Sequence, residues 1–276
     1  MKHKRLELKN YFSILGEEGR NPTLDIYLPY NMVEMRRENQ KRPCMLVCPG
    51  GGYGMCSERE SEPIALHFLP EGFNVFVLTY SVAPNRFPTQ IREVAAAVDL
   101  IYKNADEWNC DTEKISIMGF SAGGHLAAHY SNAYNIEEIK ELYGATYKPF
   151  SSVLCYPVIS ADPEIAHKGS IANLLGYYPE GEEADKYSCD KLVTADTPPA
   201  FIWHTAPDAV YCENSLLYAT ALSAKKVPFE LHIYPYGDHG GSTFDIQSLN
   251  TVSDITNYNS RWVKEAGEWL KLMKLL

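Results

Sequence analysis

The chain predicts an α/β fold with a mostly parallel central sheet and helices on both faces. Three observations carry that expectation. Short apolar, strand-like runs alternate with helical stretches along most of the 276 residues, the pattern of a sheet built from strand–helix–strand units. One of those runs leads through a glycine-flanked sharp turn directly into a helix. No repeat, low-complexity tract or linker divides the chain, so residues 1–276 are expected to form a single domain.

Taken in order, Thr23–Leu28 alternates with period two and is expected as an early antiparallel edge strand. Met45–Cys48, Val75–Leu78 and Ile115–Met118 follow as central strands, and Val153–Tyr156, Phe201–Trp203 and Leu231–Tyr234 continue the series. Helices are expected over Gln90–Asn104, Gly124–Asn132, Glu213–Lys225 and Arg261–Lys274. The longest segment without a clear strand, Ser160–Pro199, is rich in Pro, Gly, Tyr and charge. It is expected as a lid-like excursion over the C-terminal edge of the sheet, where open α/β sheets bind ligands.

Bulk properties narrow the function classes. A formal net charge of −10 argues against a nucleic-acid or anionic-membrane partner and favours neutral or cationic ligands. No run approaches a membrane span. The charged start Met1-Lys2-His3-Lys4-Arg5 has no apolar segment behind it, so no signal peptide is expected. Seven cysteines form an odd, scattered set, with Cys44 and Cys48 in a core strand. They read as reduced thiols of a cytoplasmic protein.

Gly119-Phe120-Ser121-Ala122-Gly123 carries the chemistry. It fits the G-x-S-x-G elbow, in which a strand, a sharp turn and a helix hold a serine at positive φ between small residues. The hydroxyl then sits at a helix N-terminus, where negative charge is favoured. A serine hydroxyl needs a base, and the base needs an orienting acid, arriving here in the order Ser, Asp or Glu, His. His239 lies in the turn-rich loop Tyr236–Gly241 just after the last strand and fits the base. His204, His125, His129 and His167 are less well placed. Asp208 directly follows the strand Phe201–Trp203 and fits the acid, with a turn or helix-cap role as the plainer alternative. Asp238 is too near His239 in sequence to approach its ring from behind.

Cys48-Pro49-Gly50-Gly51-Gly52-Tyr53 ends the first central strand. Its glycines let backbone N–H groups approach a developing oxyanion, so Gly51 and Gly52, with Ala122, are the expected donors. A phosphate cradle is the alternative, but neither Gly-rich phosphate signature is present. His125 and His129, four apart, could share a metal on a helix face, yet no third ligand accompanies them. No metal and no cofactor are expected. Tyr53 and Tyr211 border the loops that shape the pocket and are the expected substrate contacts.

Together, Pro49–Tyr53, Gly119–Ala127, Pro198–Thr205, Glu213–Leu216 and Val227–Tyr234 resemble the α/β-hydrolase esterases of the acetyl-xylan esterase and feruloyl-esterase-like (BD-FAE) type. The resemblance runs from about Leu24 to the C-terminus and includes His167–Ser170 and Asn173–Gly176. It implies the α/β-hydrolase fold, a Ser121, Asp208, His239 triad and removal of acetyl groups from sugar hydroxyls. The implied partner is a small-molecule or oligosaccharide ester, and the sequence leaves room for a homo-oligomer. Two departures stand out: a short Ala209–Cys212 stretch after the acid, which is expected to hold Asp208 differently or reshape the pocket, and Gly240-Gly241 where the family usually has Gly-Leu, which is expected to loosen the histidine loop. Arylformamidase or peptidase activity on the same scaffold is the near alternative. A catalytically silent binding protein is the alternative from another class.

Overall fold

A computed structural model of the chain describes residues 1–13, 21–143 and 146–275. The 1–276 domain expected from sequence therefore includes residues 14–20, 144–145 and 276, which lie outside the described residues. The strands are β1 (Lys2–Glu7), β2 (Thr23–Leu28), β3 (Arg42–Cys48), β4 (Asn74–Thr79), β5 (Cys110–Phe120), β6 (Ser151–Cys155), β7 (Ala200–Thr205) and β8 (Phe229–Tyr234). They form one sheet in the order β1-β2-β4-β3-β5-β6-β7-β8. The pairs β1/β2 and β2/β4 are antiparallel, and every later pair is parallel. The helices are α1 (Glu62–Phe68), α2 (Thr89–Lys103), α3 (Ala122–Ala133), α4 (Glu137–Tyr143), α5 (Lys168–Leu175), α6 (Glu182–Asp185), α7 (Glu213–Ala224), α8 (Asp254–Asn259) and α9 (Arg261–Leu275).

The central strands are apolar throughout because both faces are covered. Leu46 and Cys48 of β3, Phe76 and Leu78 of β4 and Ile115 and Ile117 of β5 lie on the face covered by α2 and α3. Alternate residues, including Met45, Val47, Val75, Val77, Met118 and Phe120, face α1 and α9 and pack with Phe68, Trp262 and Trp269. Each such side chain, fully buried, contributes about 1.5–3 kcal/mol.

One sequence expectation is corrected at the margin. Thr23–Leu28 is antiparallel but not an edge; the edge is β1. Its sequence, Lys-His-Lys-Arg-Leu-Glu, exposes four charged or polar side chains and buries mainly Leu6, so it shows no apolar alternation. Arg5 anchors it through a two-pronged ion pair to the buried Asp25 carboxylate at 2.8–3.0 Å. A charged outer strand of this kind resists edge-to-edge pairing. Within Ser160–Pro199 the structure has the helices α5 and α6, which sequence reasoning did not place. No helix among the described residues is long and apolar enough to cross a membrane.

The topology brings two loops together. From β3 the chain runs to β4 on one side, then returns past it to form β5 on the other. Cys48 pairs with Gly119 in the parallel β3/β5 register, so residues 49–53 and Ser121 leave the sheet side by side. A crevice at such a reversal is the standard ligand position in open α/β sheets.

Candidate active site

Ser121 sits between β5 and α3 at φ 52°, ψ −118°, a backbone position that L-residues rarely adopt. The turn is possible only because Gly119 and Gly123, two residues to either side, lack side chains. A Cβ on Gly119 would lie 2.1 Å from the Gly123 carbonyl oxygen, and one on Gly123 would lie 2.1 Å from that of Cys48. The strain is held from outside: the Ser121 amide donates to the Cys155 carbonyl at 3.0 Å, and the Ser121 carbonyl accepts from Val158 at 3.0 Å.

Three residues separated widely in sequence meet at this elbow. His239 Nε2 lies 2.8 Å from Ser121 Oγ, and His239 Nδ1 lies 2.7 Å from Asp208 Oδ1. Because a carboxylate only accepts, Nδ1 carries the ring proton and Nε2 is left to accept from the serine hydroxyl. Asp208 is buried, and its Oδ1 also accepts the Val210 amide at 2.7 Å. The short Ala209–Cys212 stretch therefore folds back on the acid and locks it. His204 stands behind the same carboxylate, with Nε2 3.6 Å from Asp208 Oδ2. Its Nε2–H donates to the Val210 carbonyl and its Nδ1 accepts from Ser215 Oγ, each at 2.8 Å. Burial pushes its pKa down to about 4, so it packs there as neutral imidazole.

In the structure the histidine loop packs closely around Gly240-Gly241. Gly240 takes φ 74°, and a Cβ on Gly241 would lie 2.1 Å from the Phe244 ring. Ser242 just beyond is pinned three ways: its amide to Tyr156 Oη at 3.1 Å, its hydroxyl to the Arg59 carbonyl at 2.6 Å, and its carbonyl to Trp262 Nε1 at 2.8 Å.

On the other side of the elbow lies the glycine loop. A Cβ on Gly50 would approach Ser121 Cβ to 3.0 Å, so the loop packs against the serine. Gly51 takes φ 124°, and a side chain there would strike the Met55 carbonyl at 2.3 Å. Among the described residues the amides of Gly51, Gly52 and Ala122 donate in none of the hydrogen bonds, while Gly50 gives its own to Glu60 Oε2 at 2.7 Å. From above, α5 steadies the loop: Asn173 Nδ2 donates to the Gly52 carbonyl at 2.9 Å, and Arg86 Nη1 donates to the Asn173 carbonyl.

The structure corrects Tyr53 as a substrate contact. Its side chain is fully buried, and its hydroxyl meets His125 Nδ1 at 2.9 Å. With φ 57° the backbone turns this ring inward, beneath the loop it belongs to. His125 Nε2 donates to the Tyr187 carbonyl at 2.8 Å, so both its nitrogens are used, and burial lowers its pKa to about 4. His129 stacks on Phe87 at 5.4 Å, and burial lowers its pKa to about 3. The pair is packing behind the elbow. Tyr211, by contrast, is exposed on the loop after Asp208.

Two further residues take roles that the sequence did not assign to them. His167 caps α5: its Nδ1 accepts from the Ser170 amide at 3.3 Å and lies 2.7 Å from Ser170 Oγ. Burial lowers its pKa, and the nearby His239 adds to the effect. Glu60 stands in the charged run Ser57–Glu62, yet its carboxyl is buried. Burial raises its pKa against the pull of its Tyr156 and Gly50 hydrogen bonds. No local signal separates it from its exposed neighbours Glu58 and Arg59.

Comparison with known proteins places the chain in a family. The BD-FAE family model matches residues 24–222. An endo-1,4-β-xylanase B of Butyrivibrio fibrisolvens is 40% identical over 226 residues, covering 78% of this chain and 35% of that protein. An acetylxylan esterase of Xylanibacter ruminicola is 30% identical over 249 residues, covering 87% of this chain and 48% of that protein. The chain thus spans a third to a half of the length of these curated relatives. Among solved structures, the acetyl ester-xyloside bifunctional hydrolase of Caldicellulosiruptor lactoaceticus superposes with a TM-score of 0.85 at 32% identity, covering 99% of this chain and 97% of its own. A carboxylesterase of Lactobacillus plantarum superposes at 0.84 with 25% identity, covering 100% and 99%. With the eight-stranded, mostly parallel sheet and the family match across its central strands, the chain belongs to the BD-FAE family of α/β-hydrolase esterases.

Proposed function

We propose that this chain is a serine carboxylesterase that removes acetyl groups from acetylated xylo-oligosaccharides or related sugars through an acyl-enzyme. The observation that carries the reading is the continuous relay Asp208–His239–Ser121, with hydrogen bonds of 2.7 and 2.8 Å. Ser121 Oγ attacks the ester carbonyl while His239 Nε2 takes its proton. The amides of Gly51, Gly52 and Ala122, all without an acceptor among the described residues, receive the oxyanion. His239 returns the proton to the departing sugar oxygen, and Asp208 stabilises the imidazolium between the two transfers. Water, activated by the same histidine, then attacks the acetyl-serine and releases acetate. The scheme asks for no metal or cofactor. Tyr211 is placed in the reading as a pocket wall. The reading takes the chain as one domain acting in the cytoplasm on a small or oligosaccharide ester.

The sugar assignment is supported by the names of two relatives and one neighbour, an endo-xylanase, an acetylxylan esterase and an acetyl ester-xyloside hydrolase. Incubation with acetylated xylo-oligosaccharides, followed by mass for acetate release, tests it with Ser121→Ala as control. Release that vanishes in the variant supports nucleophile and substrate together. Ser121-dependent hydrolysis of an aryl acetate without release from the sugars would keep the mechanism and discard the carbohydrate substrate.

A further inference from the structure

The triad and the oxyanion loop come from separate parts of the chain, yet one buried side chain touches the supports of both. Glu60 Oε2 accepts the Gly50 amide at 2.7 Å, and Glu60 Oε1 accepts the Tyr156 hydroxyl at 2.5 Å. Tyr156 Oη in turn accepts the Ser242 amide at 3.1 Å, three residues past His239. The Tyr156 ring also stands edge-on to the His239 ring, with centroids 5.0 Å apart. Gly50 is the residue whose Cβ would collide with Glu60 Oε2 at 2.7 Å and approach Ser121 Cβ to 3.0 Å. The carboxylate and the nucleophile thus both border the space that a Gly50 side chain would fill.

Two features argue that this arrangement serves the reaction and not packing alone. Removing a carboxylate from water costs several kcal/mol, and an apolar residue of similar volume would often hold such a core as well or better. Here the two oxygens are divided, one accepting an amide on one side and the other a phenol on the opposite side. Strained backbone also gathers around the link: Tyr53, Ser121, Tyr156 and Ser242 all take positive φ. Such strain persists where surrounding structure over-determines it, and it gathers at functional sites.

We propose that Glu60 is a positioning residue: its buried carboxylate ties the oxyanion loop, through Gly50, to the histidine loop, through Tyr156 and Ser242, and so keeps donors and base in one register. The proposal rests on the ester-hydrolase reading of the site but not on its sugar substrate. It is tested on the full chain with an aryl acetate. Active sites are counted by labelling with a fluorophosphonate probe, and Ser121→Ala serves as the blank. In Glu60→Gln one oxygen still accepts Gly50, while the new NH2 faces the phenol and leaves the Tyr156 proton without an acceptor. The expected result is a kcat per labelled site lower by about 10- to 100-fold, the scale of a sub-ångström to 1 Å misplacement, with KM within about twofold. Tyr156→Phe removes one oxygen from the same link and should lower kcat in the same way. The double variant should be no worse than the more impaired single one, because both cut one link. A kcat per labelled site that stays at the wild-type value, a loss confined to KM, or single losses that multiply in the double variant would overturn the proposal. If Glu60→Gln does not fold, an unchanged kcat in Tyr156→Phe alone does so. Hydrolysis that survives in Ser121→Ala would instead overturn the reading of Ser121 as the nucleophile on which the proposal rests.

Discussion

Replacing Asp208 by Asn tests the relay most directly, because the neighbours of Asp208 dictate how the amide must sit. Oδ1 accepts from both Val210 N–H and His239 Nδ1–H at 2.7 Å, so the amide oxygen must stay there. The new NH2 then takes the Oδ2 position, 3.6 Å from His204 Nε2, whose proton already points at the Val210 carbonyl. Rotating the amide instead would set its NH2 against the Val210 donor and turn the His239 tautomer, leaving no base for Ser121. In the retained orientation the fold survives but the imidazolium formed during reaction faces a neutral group. At 2.7 Å and an effective dielectric of about 20, the lost attraction is about 6 kcal/mol. The His239 side chain is 27% exposed, and solvent reduces this to about 4–5 kcal/mol. That corresponds to a fall in kcat of about 10³–10⁴, the range known for loss of the acid in such triads. Initial rates at saturating aryl acetate, corrected by Ser121→Ala, would measure it, with a thermal melt to show that the variant is folded. A folded variant that keeps more than about a tenth of kcat would refute the reasoning, since neither amide orientation supplies the missing charge.

Other consequences concern stability. Gly123→Ala would push a methyl to 2.1 Å from one backbone oxygen and 2.3 Å from the next. A loss of more than about 3 kcal/mol in urea unfolding, or no folded protein, is expected. Gly267→Ala in α9 has its nearest neighbours at 3.7 Å, and a gain of about 0.5–1 kcal/mol is expected from the reduced freedom of the unfolded chain. His125, His129 and His204 have folded pKa values lowered to about 4, 3 and 4, below their unfolded value, so the unfolded chain binds more protons as pH falls. Their stabilisation is complete above about pH 6.5 and is lost as pH falls from there towards about 4 for His125 and His204 and about 3 for His129, each histidine giving up about 2 kcal/mol by pH 5. Urea unfolding at pH 7.5 and 5 checks the slope, and His129→Phe, which keeps a ring against Phe87, should shrink the difference by about that amount. An unchanged difference would rule out burial of neutral His129 as a cause.

The sequence determined the features whose physics is local. The glycines around Ser121 are demanded by contacts within a few residues of the elbow, so Gly119–Gly123 is legible as a motif. The central strands are legible because burial on both faces leaves an unbroken apolar run. Thr23–Leu28 announced its pairing but not its neighbour, because β1 carries charge where an inner strand would carry apolar side chains. What only the tertiary structure decided are contacts between loops that meet at the ends of different strands. Tyr53 adjoins the glycine loop in sequence, but its backbone turns the ring under the site and not into it. The buried role of Glu60, the hydroxyl contact of Tyr156 with Ser242 and the place of His204 behind Asp208 all depend on segments brought together by sheet order. A side chain's type fixes which bonds it can make; the fold alone chooses its partners and how much water it keeps.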